Sequence, residues 1–171
     1  MRKYILADNQ ELTRFAVESL IKQRGQEAIY KASDKAGLVE LLKEHENAVV
    51  VLDYTLFDFA DVEQLLIITE RFALSQWILI SDELTPAFLR SVVYASHQFS
   101  IVFKDGSLHE LREALQATDR HDRYISQRAL EVIINHQQEE EQPSVLTSTE
   151  IEIVKAIAQG KTTKEIANET T

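Results

Sequence analysis

The feature that most constrains this chain is a series of short, unbroken apolar runs separated by stretches of helical periodicity. Val49-Val50-Val51-Leu52 shows no alternation of apolar and polar residues, so a strand made from it needs cover on both faces. The segments "KYILAD", "EAIYKAS", "QWILIS" and "SIVFKD" repeat the theme. Between them, "ELTRFAVESLIKQRG" sets Leu12, Phe15, Ala16 and Leu20 at helical spacing and stops at Gly25. "LVELLKEH", "DVEQLLIITERF", "PAFLRSVVYAS" and "SLHELREALQA" fill the remaining gaps. Five strands alternating with five helices predict an α/β domain: a doubly wound, five-stranded parallel sheet, in the order 2-1-3-4-5.

Composition narrows the class. With 44% hydrophobic and 27% charged residues but only 4 Gly and 2 Pro among 171, the chain is globular rather than disordered or fibrous. It has 0 Cys, so disulfides and thiolate chemistry are excluded. A net charge of -10, with no basic segment, argues against a nucleic-acid surface spread over the whole molecule. The start, "MRKYILADNQ", reaches polar residues too soon for a signal-peptide core or a membrane span, which makes the cytoplasm the expected location. The histidines, His45, His97, His109, His121 and His136, show no metal-binding spacing and read as surface residues.

The last third changes character. "SQRALEVIINHQQEEEQPSV" opens as a helix and decays into Gln and Glu before Pro143, the composition of a solvated linker. After it come two capping boxes, Thr147 with Glu150 and Thr162 with Glu165, with Gly160 between them as a helix stop. Two short helices joined by a tight turn open a helix-turn-helix. The expected division is 1–126 for the sheet domain, 127–145 for a helical and acidic linker, and 146–171 for a small, incomplete all-α unit.

In an open parallel sheet, ligands bind beyond the carboxyl ends of the strands. Those ends carry Asp8 and Asn9, Asp53, Ser81 followed by Asp82, and Lys104 followed by Asp105. Each aspartate alone can be a helix cap or turn former. Together, paired carboxylates suit Mg²⁺, and a carboxylate there can accept a phosphoryl group whose oxygens need a cation and a hydroxyl. Lys104 and Ser81 are of those types. Asp58 and Asp61 are expected to cap the helix that follows them.

"LADNQELTR", "VVVLDYTLFD", "ILISD" and "IVFKDGSLHEL" resemble, in that order, the site segments of the flavodoxin-like receiver domain of two-component response regulators. "LTSTEIEIVKAIAQGKTTKEIANET" is similar to the first half of a LuxR-type helix-turn-helix, so the pairing resembles a NarL/LuxR-type response regulator. The resemblance implies Asp53 as phosphoacceptor, Ser81 as switch hydroxyl and Lys104 as the phosphate-binding cation. It implies a Mg²⁺ site at Asp8, Asn9, Asp53 and Thr55, the last through its backbone carbonyl. It further implies a sensor histidine kinase as phosphodonor, a homodimer, no catalytic turnover of a small substrate, and a regulator of transcription. Promoter DNA would be a partner of the full-length protein and not of this chain, because the recognition helix would follow Thr171. "PAFLRSVVYASHQF" offers Phe88, Val92, Val93, Tyr94 and Phe99 either to the core or to a dimer interface.

Several positions depart from the family pattern. Asn9 stands where a second acid is usual, Asp82 where a small residue follows the switch hydroxyl, and Ile101 at the aromatic switch position. These departures favour an alternative, a receiver-shaped module that does not hold phosphate and works by dimerisation or through a protein partner. A third reading is a Mg²⁺-dependent phosphohydrolase of the haloacid dehalogenase type, since "DYT" at Asp53 resembles its nucleophile loop. That loop needs a second Asp where Thr55 stands.

Overall fold

The computed structural model describes residues 2–25 and 27–140. The capping boxes and the expected helix-turn-helix at 146–171, and the end of the linker, lie outside the described residues. Strands β1 (Arg2–Ala7), β2 (Glu27–Lys31), β3 (Val49–Leu52), β4 (Gln76–Ser81) and β5 (Phe99–Phe103) alternate with helices α1 (Glu11–Lys22), α2 (Lys35–Glu44), α3 (Val62–Arg71), α4 (Pro86–Ala95) and α5 (Leu108–Asp119). A further helix, α6 (Gln127–Glu140), follows, and a 3-10 turn at Tyr54–Leu56 joins β3 to α3. The sheet order is β2-β1-β3-β4-β5, with every pair parallel. This is the doubly wound topology expected from the sequence.

The apolar runs explain the layering. Tyr4, Leu6, Val49, Val51, Ile78, Ile80 and Val102 face one way and pack with Val17, Leu20 and Ile21 of α1 and Leu111, Ala114 and Leu115 of α5. Their neighbours on the same strands point to the other face and are also buried, Ile5, Val50, Trp77 and Ile101 among them. The indole N–H of Trp77 donates to Ser75 Oγ at 2.8 Å, so the largest core side chain leaves no unmet donor.

The α1 face differs from the expected one. Leu20 is buried, but Leu12 is 79% and Phe15 68% exposed, and the core stripe is Val17, Leu20 and Ile21. Positions 12 and 15 lie nearly opposite that stripe on a helix of 3.6 residues per turn. Of the five side chains offered by α4 and β5, Phe88, Val92, Val93 and Phe99 belong to the core and only Tyr94 is exposed. His45 is half-buried rather than at the surface, with its ring stacked on Tyr30 at 4.3 Å.

Caps fix where the helices begin. Asp34 accepts from Gly37 N, Asp61 from Gln64 N, Thr85 from Phe88 N and Ser107 from Glu110 N. Asp58 does not cap α3. Its Oδ1 accepts from Lys35 N at 2.6 Å, tying the β3–α3 loop to the start of α2. Gly25, at φ +116, holds the left-handed turn that ends the first helical segment.

The chain after α5 returns to the sheet, where Ile125 bridges Ile101 in parallel. Ser126 and Ala129 are fully buried, and the first compact unit runs Met1–Ala129. The described part of the second unit, which begins at Leu130, is the remainder of α6.

Candidate functional site

Register brings the strand ends level. Ala7 pairs with Leu52, Leu52 with Leu79, and Ser81 with Phe103. The residues immediately beyond, or at, these ends therefore meet on one rim: Asp8, Asp53, Ser81 and Lys104. Backbone bonds fasten that rim, from Asp53 N to Ala7 O at 3.0 Å and from Lys104 N to Ser81 O at 2.9 Å.

Asp53 is the centre. It is fully buried, and its Oδ1 accepts from Thr55 N at 3.0 Å, Thr55 Oγ1 at 2.7 Å and Ser81 Oγ at 2.8 Å. Its Oδ2 pairs with Lys104 Nζ. Burial alone would raise the Asp53 carboxyl, but hydrogen bonds from Lys104, Thr55 and Ser81, with the Lys104 charge, hold it below its ordinary value. The carboxylate is thereby kept ionised without contact with bulk water.

Asp8 sits on the other side of the ammonium. Lys104 Nζ lies 3.3 Å from Asp8 Oδ2 and 2.8 Å from Gln10 Oε1, and the Lys104 side chain is only 5% exposed. Asp8 Oδ1 accepts from Gln10 N at 2.8 Å, which sets up the start of α1 in place of an ordinary side-chain cap. Burial raises the Asp8 carboxyl above its ordinary value, the Gln10 N–H and Lys104 opposing and the charge of Asp53 reinforcing the rise. Two carboxylates so close cannot both ionise freely, and their environments push them apart.

The structure thus brings together Asp8, Asp53, Thr55, Ser81 and Lys104 of the residues expected from the sequence. Asn9 is not brought in. It is exposed, and its side-chain amide donates to Ser33 O at 3.3 Å. Asp82 is exposed beside Ser81, and Ile101 is fully buried in β5. Gln10 was not foreseen. Its only sequence signal is its place two residues after Asp8 at the head of a helix, where a main-chain N–H is commonly taken by an Asx side chain.

As a test of the donor set for Mg²⁺, Asp8 Oδ2 is buried and accepts no hydrogen bond, its close charge being Lys104. With Asp53 it makes the hard-oxygen pair such an ion takes. Among the described residues no group of three or more His, Cys, Asp or Glu could hold a metal ion, so backbone carbonyl and water would complete any coordination.

Comparison with solved structures identifies the architecture. The isolated receiver domain of RcsB from Salmonella enterica serovar Typhimurium, in the presence of the phosphomimetic BeF3-, superposes with a TM-score of 0.68 at 19% identity, over 77% of this chain and 98% of that one. The fold is that of a response-regulator receiver. A LuxR-family response regulator from Aurantimonas sp. SI85-9A1 matches this receiver with a TM-score of 0.68 at 22% identity, over 80% of this chain and 97% of that one. RcsB bound to a promoter matches with a TM-score of 0.64 at 20% identity, over 98% of this chain and 88% of that one. By sequence, the nitrate/nitrite response regulator protein NarP of Escherichia coli (strain K12) is 23% identical over 168 residues, 96% of this chain and 78% of the relative. The resemblance to NarL/LuxR-type response regulators read from the motifs is borne out and extends past the receiver. No protein-family model matches the chain.

Proposed function

We propose that this chain is a response regulator whose receiver is phosphorylated on Asp53 and controls a transcriptional output. The observation that carries the reading is the convergence of an ionised, buried Asp53 with a hydroxyl, Ser81, and a cation, Lys104, at the rim of a receiver fold. An Asp53 oxygen would attack the phosphorus of a phosphoryl donor, a phosphohistidine or acetyl phosphate, forming an O–P bond as the donor's bond to phosphorus breaks and the donor leaves with that electron pair. The lone pair comes from the carboxylate, so no proton need leave Asp53. Lys104, which already faces Oδ2, and Ser81 would then partner the new phosphoryl oxygens. Asp8, Asp53 and the Thr55 main chain would hold Mg²⁺, which when bound offsets negative charge at the site. Asn9 would stay outside that set. The partners on this reading are a sensor histidine kinase, a second copy of the chain and, for the full-length regulator, promoter DNA, in the cytoplasm. No helix among the described residues is long and apolar enough to cross a membrane. Nor is the protein proposed to turn over a small substrate, since Thr55, bonded to Asp53, leaves no general acid two residues on.

A second reading rests on one observation. Lys104 bridges both carboxylates in a nearly sealed pair, so a receiver locked by its own lysine would work through association alone. Intact mass after incubation with Mg²⁺ and acetyl phosphate separates the two. An adduct lost in Asp53→Asn supports phosphorylation; no adduct on the wild-type chain sinks it.

A further inference from the structure

Beside the Asp53 cluster, between the Tyr54–Leu56 turn and the first half of α4, a cavity of about 350 Å³ opens to solvent. That volume falls in the range of small-molecule pockets, roughly 300–1,000 Å³. Its walls are mainly apolar, from Tyr54, Phe88, Val62 and Leu84. The Tyr54 ring is tilted against Phe88 with centroids 4.3 Å apart and stacks on Phe59 at 5.7 Å, so the aromatic wall is held from two sides. Thr55 and Ser91 also line it, their hydroxyls donating to Asp53 Oδ1 at 2.7 Å and to Ala87 O at 2.9 Å.

Charge decides what such a cavity takes. No lining residue is Lys, Arg or His, and one, Glu83, is acidic. Glu83 makes no hydrogen bond or ion pair among the described residues, and Arg128, the cation that feels it, is paired with Asp105. Asp61 adds a second negative charge nearby: burial, and after it the Asp61 charge, raise the Tyr54 phenol above its ordinary value. The first turns of α3 and α4 also border the space, and three of their donor positions are closed. Gln64 N is bonded to Asp61, Phe88 N to Thr85, and Pro86 has no N–H. An apolar wall with an unengaged carboxylate among its lining favours a ligand that joins a cation to an apolar body.

We propose that this cavity binds a small organic cation, an ammonium group carried on an aryl or alkyl body, with Glu83 taking the charge and the Tyr54–Phe88 wall, Val62 and Leu84 the body. Thr55 lines the cavity and also bonds Asp53 Oδ1, so the occupant and the carboxylate share a residue.

The test is a backbone-amide NMR titration of the whole chain with phenethylammonium, set against the neutral phenethyl alcohol, without Mg²⁺ or phosphodonor. Saturable shifts centred on Thr55 and Glu83 to Ser91, with the alcohol binding at least about tenfold more weakly, are expected. Glu83→Gln, at an exposed position, should weaken the ammonium about three- to fivefold, and Ser91→Phe should abolish binding by filling the space while the spectrum stays that of a folded chain. No saturable shift, equal binding of the alcohol, unchanged affinity in Glu83→Gln, or shifts centred elsewhere would overturn the proposal.

Discussion

Lys104 is the residue on which the site's charge balance turns. It stands 3.3 Å from Asp8 and in contact with Asp53, nearly sealed from solvent. Replacing it with Met keeps the volume but leaves two carboxylates facing each other in a low-dielectric setting. Breaking a buried pair by removing one partner costs about 3–5 kcal/mol, and Lys104→Met is expected to lose about 3 kcal/mol in urea unfolding at pH 7. A loss under about 1 kcal/mol would mean that water already screens the pair. The two carboxyls also have opposite pH signatures. Asp53 is held below its ordinary 3.8, so its contribution is present above that pH and lost as pH falls through the lowered value. Asp8 is raised above 3.8, so its contribution is present at acid pH and lost as pH rises through the raised value. The difference in urea midpoint between wild type and Asp8→Asn should therefore change with pH above 3.8, where Asp8 gives up its proton, and be flat towards neutrality. A difference that is flat throughout would place Asp8 in an ordinary, solvated environment.

At the scale of elements, what the sequence made legible was where the strands end, and what it hid was which way the first helix faces. Strand ends are marked by a switch from an unbroken apolar run to Asp8, Asp53, Ser81 or Lys104, and parallel register then makes their convergence unavoidable. Helix α1 carries two apolar stripes, 12/15/16 and 17/20/21, and periodicity alone does not say which one meets the sheet. Ile21→Ala is expected to cost about 2–5 kcal/mol, and Phe15→Ser within about 0.5 kcal/mol. Equal losses in denaturant titrations would contradict the observed orientation. Caps were partly legible for a similar reason. Asp58 and Asp61 both precede α3, and only three-dimensional proximity sends Asp58 to Lys35 N while Asp61 takes Gln64 N. The direction of Asn9 was not legible either, because Asp8 beside it in sequence says nothing about its rotamer; its side-chain amide donates to Ser33 O.

For the whole molecule, the sheet topology concentrates the chemistry where the ends of four strands, β1, β3, β4 and β5, are already tied together, so whatever occupies the rim should stabilise the entire first unit. A phosphoryl mimic that binds only the folded form adds about 2.7 kcal/mol at a concentration of 100 times its Kd. For a chain of this length each kcal/mol moves the melting temperature by roughly 2–4 °C. Beryllofluoride with Mg²⁺ is therefore expected to raise the melting temperature by roughly 8 °C, with the effect greatly reduced in Asp53→Asn and weakened in Ser81→Ala. The controls give the experiment its force. Mg²⁺ alone must first compete with the Lys104 ammonium for Asp8 and Asp53, so it should shift the transition less than the pair of ligands together. If Mg²⁺ and beryllofluoride leave the wild-type transition where it is, the sealed Lys104 bridge governs the site, and the receiver acts through its surfaces rather than through Asp53.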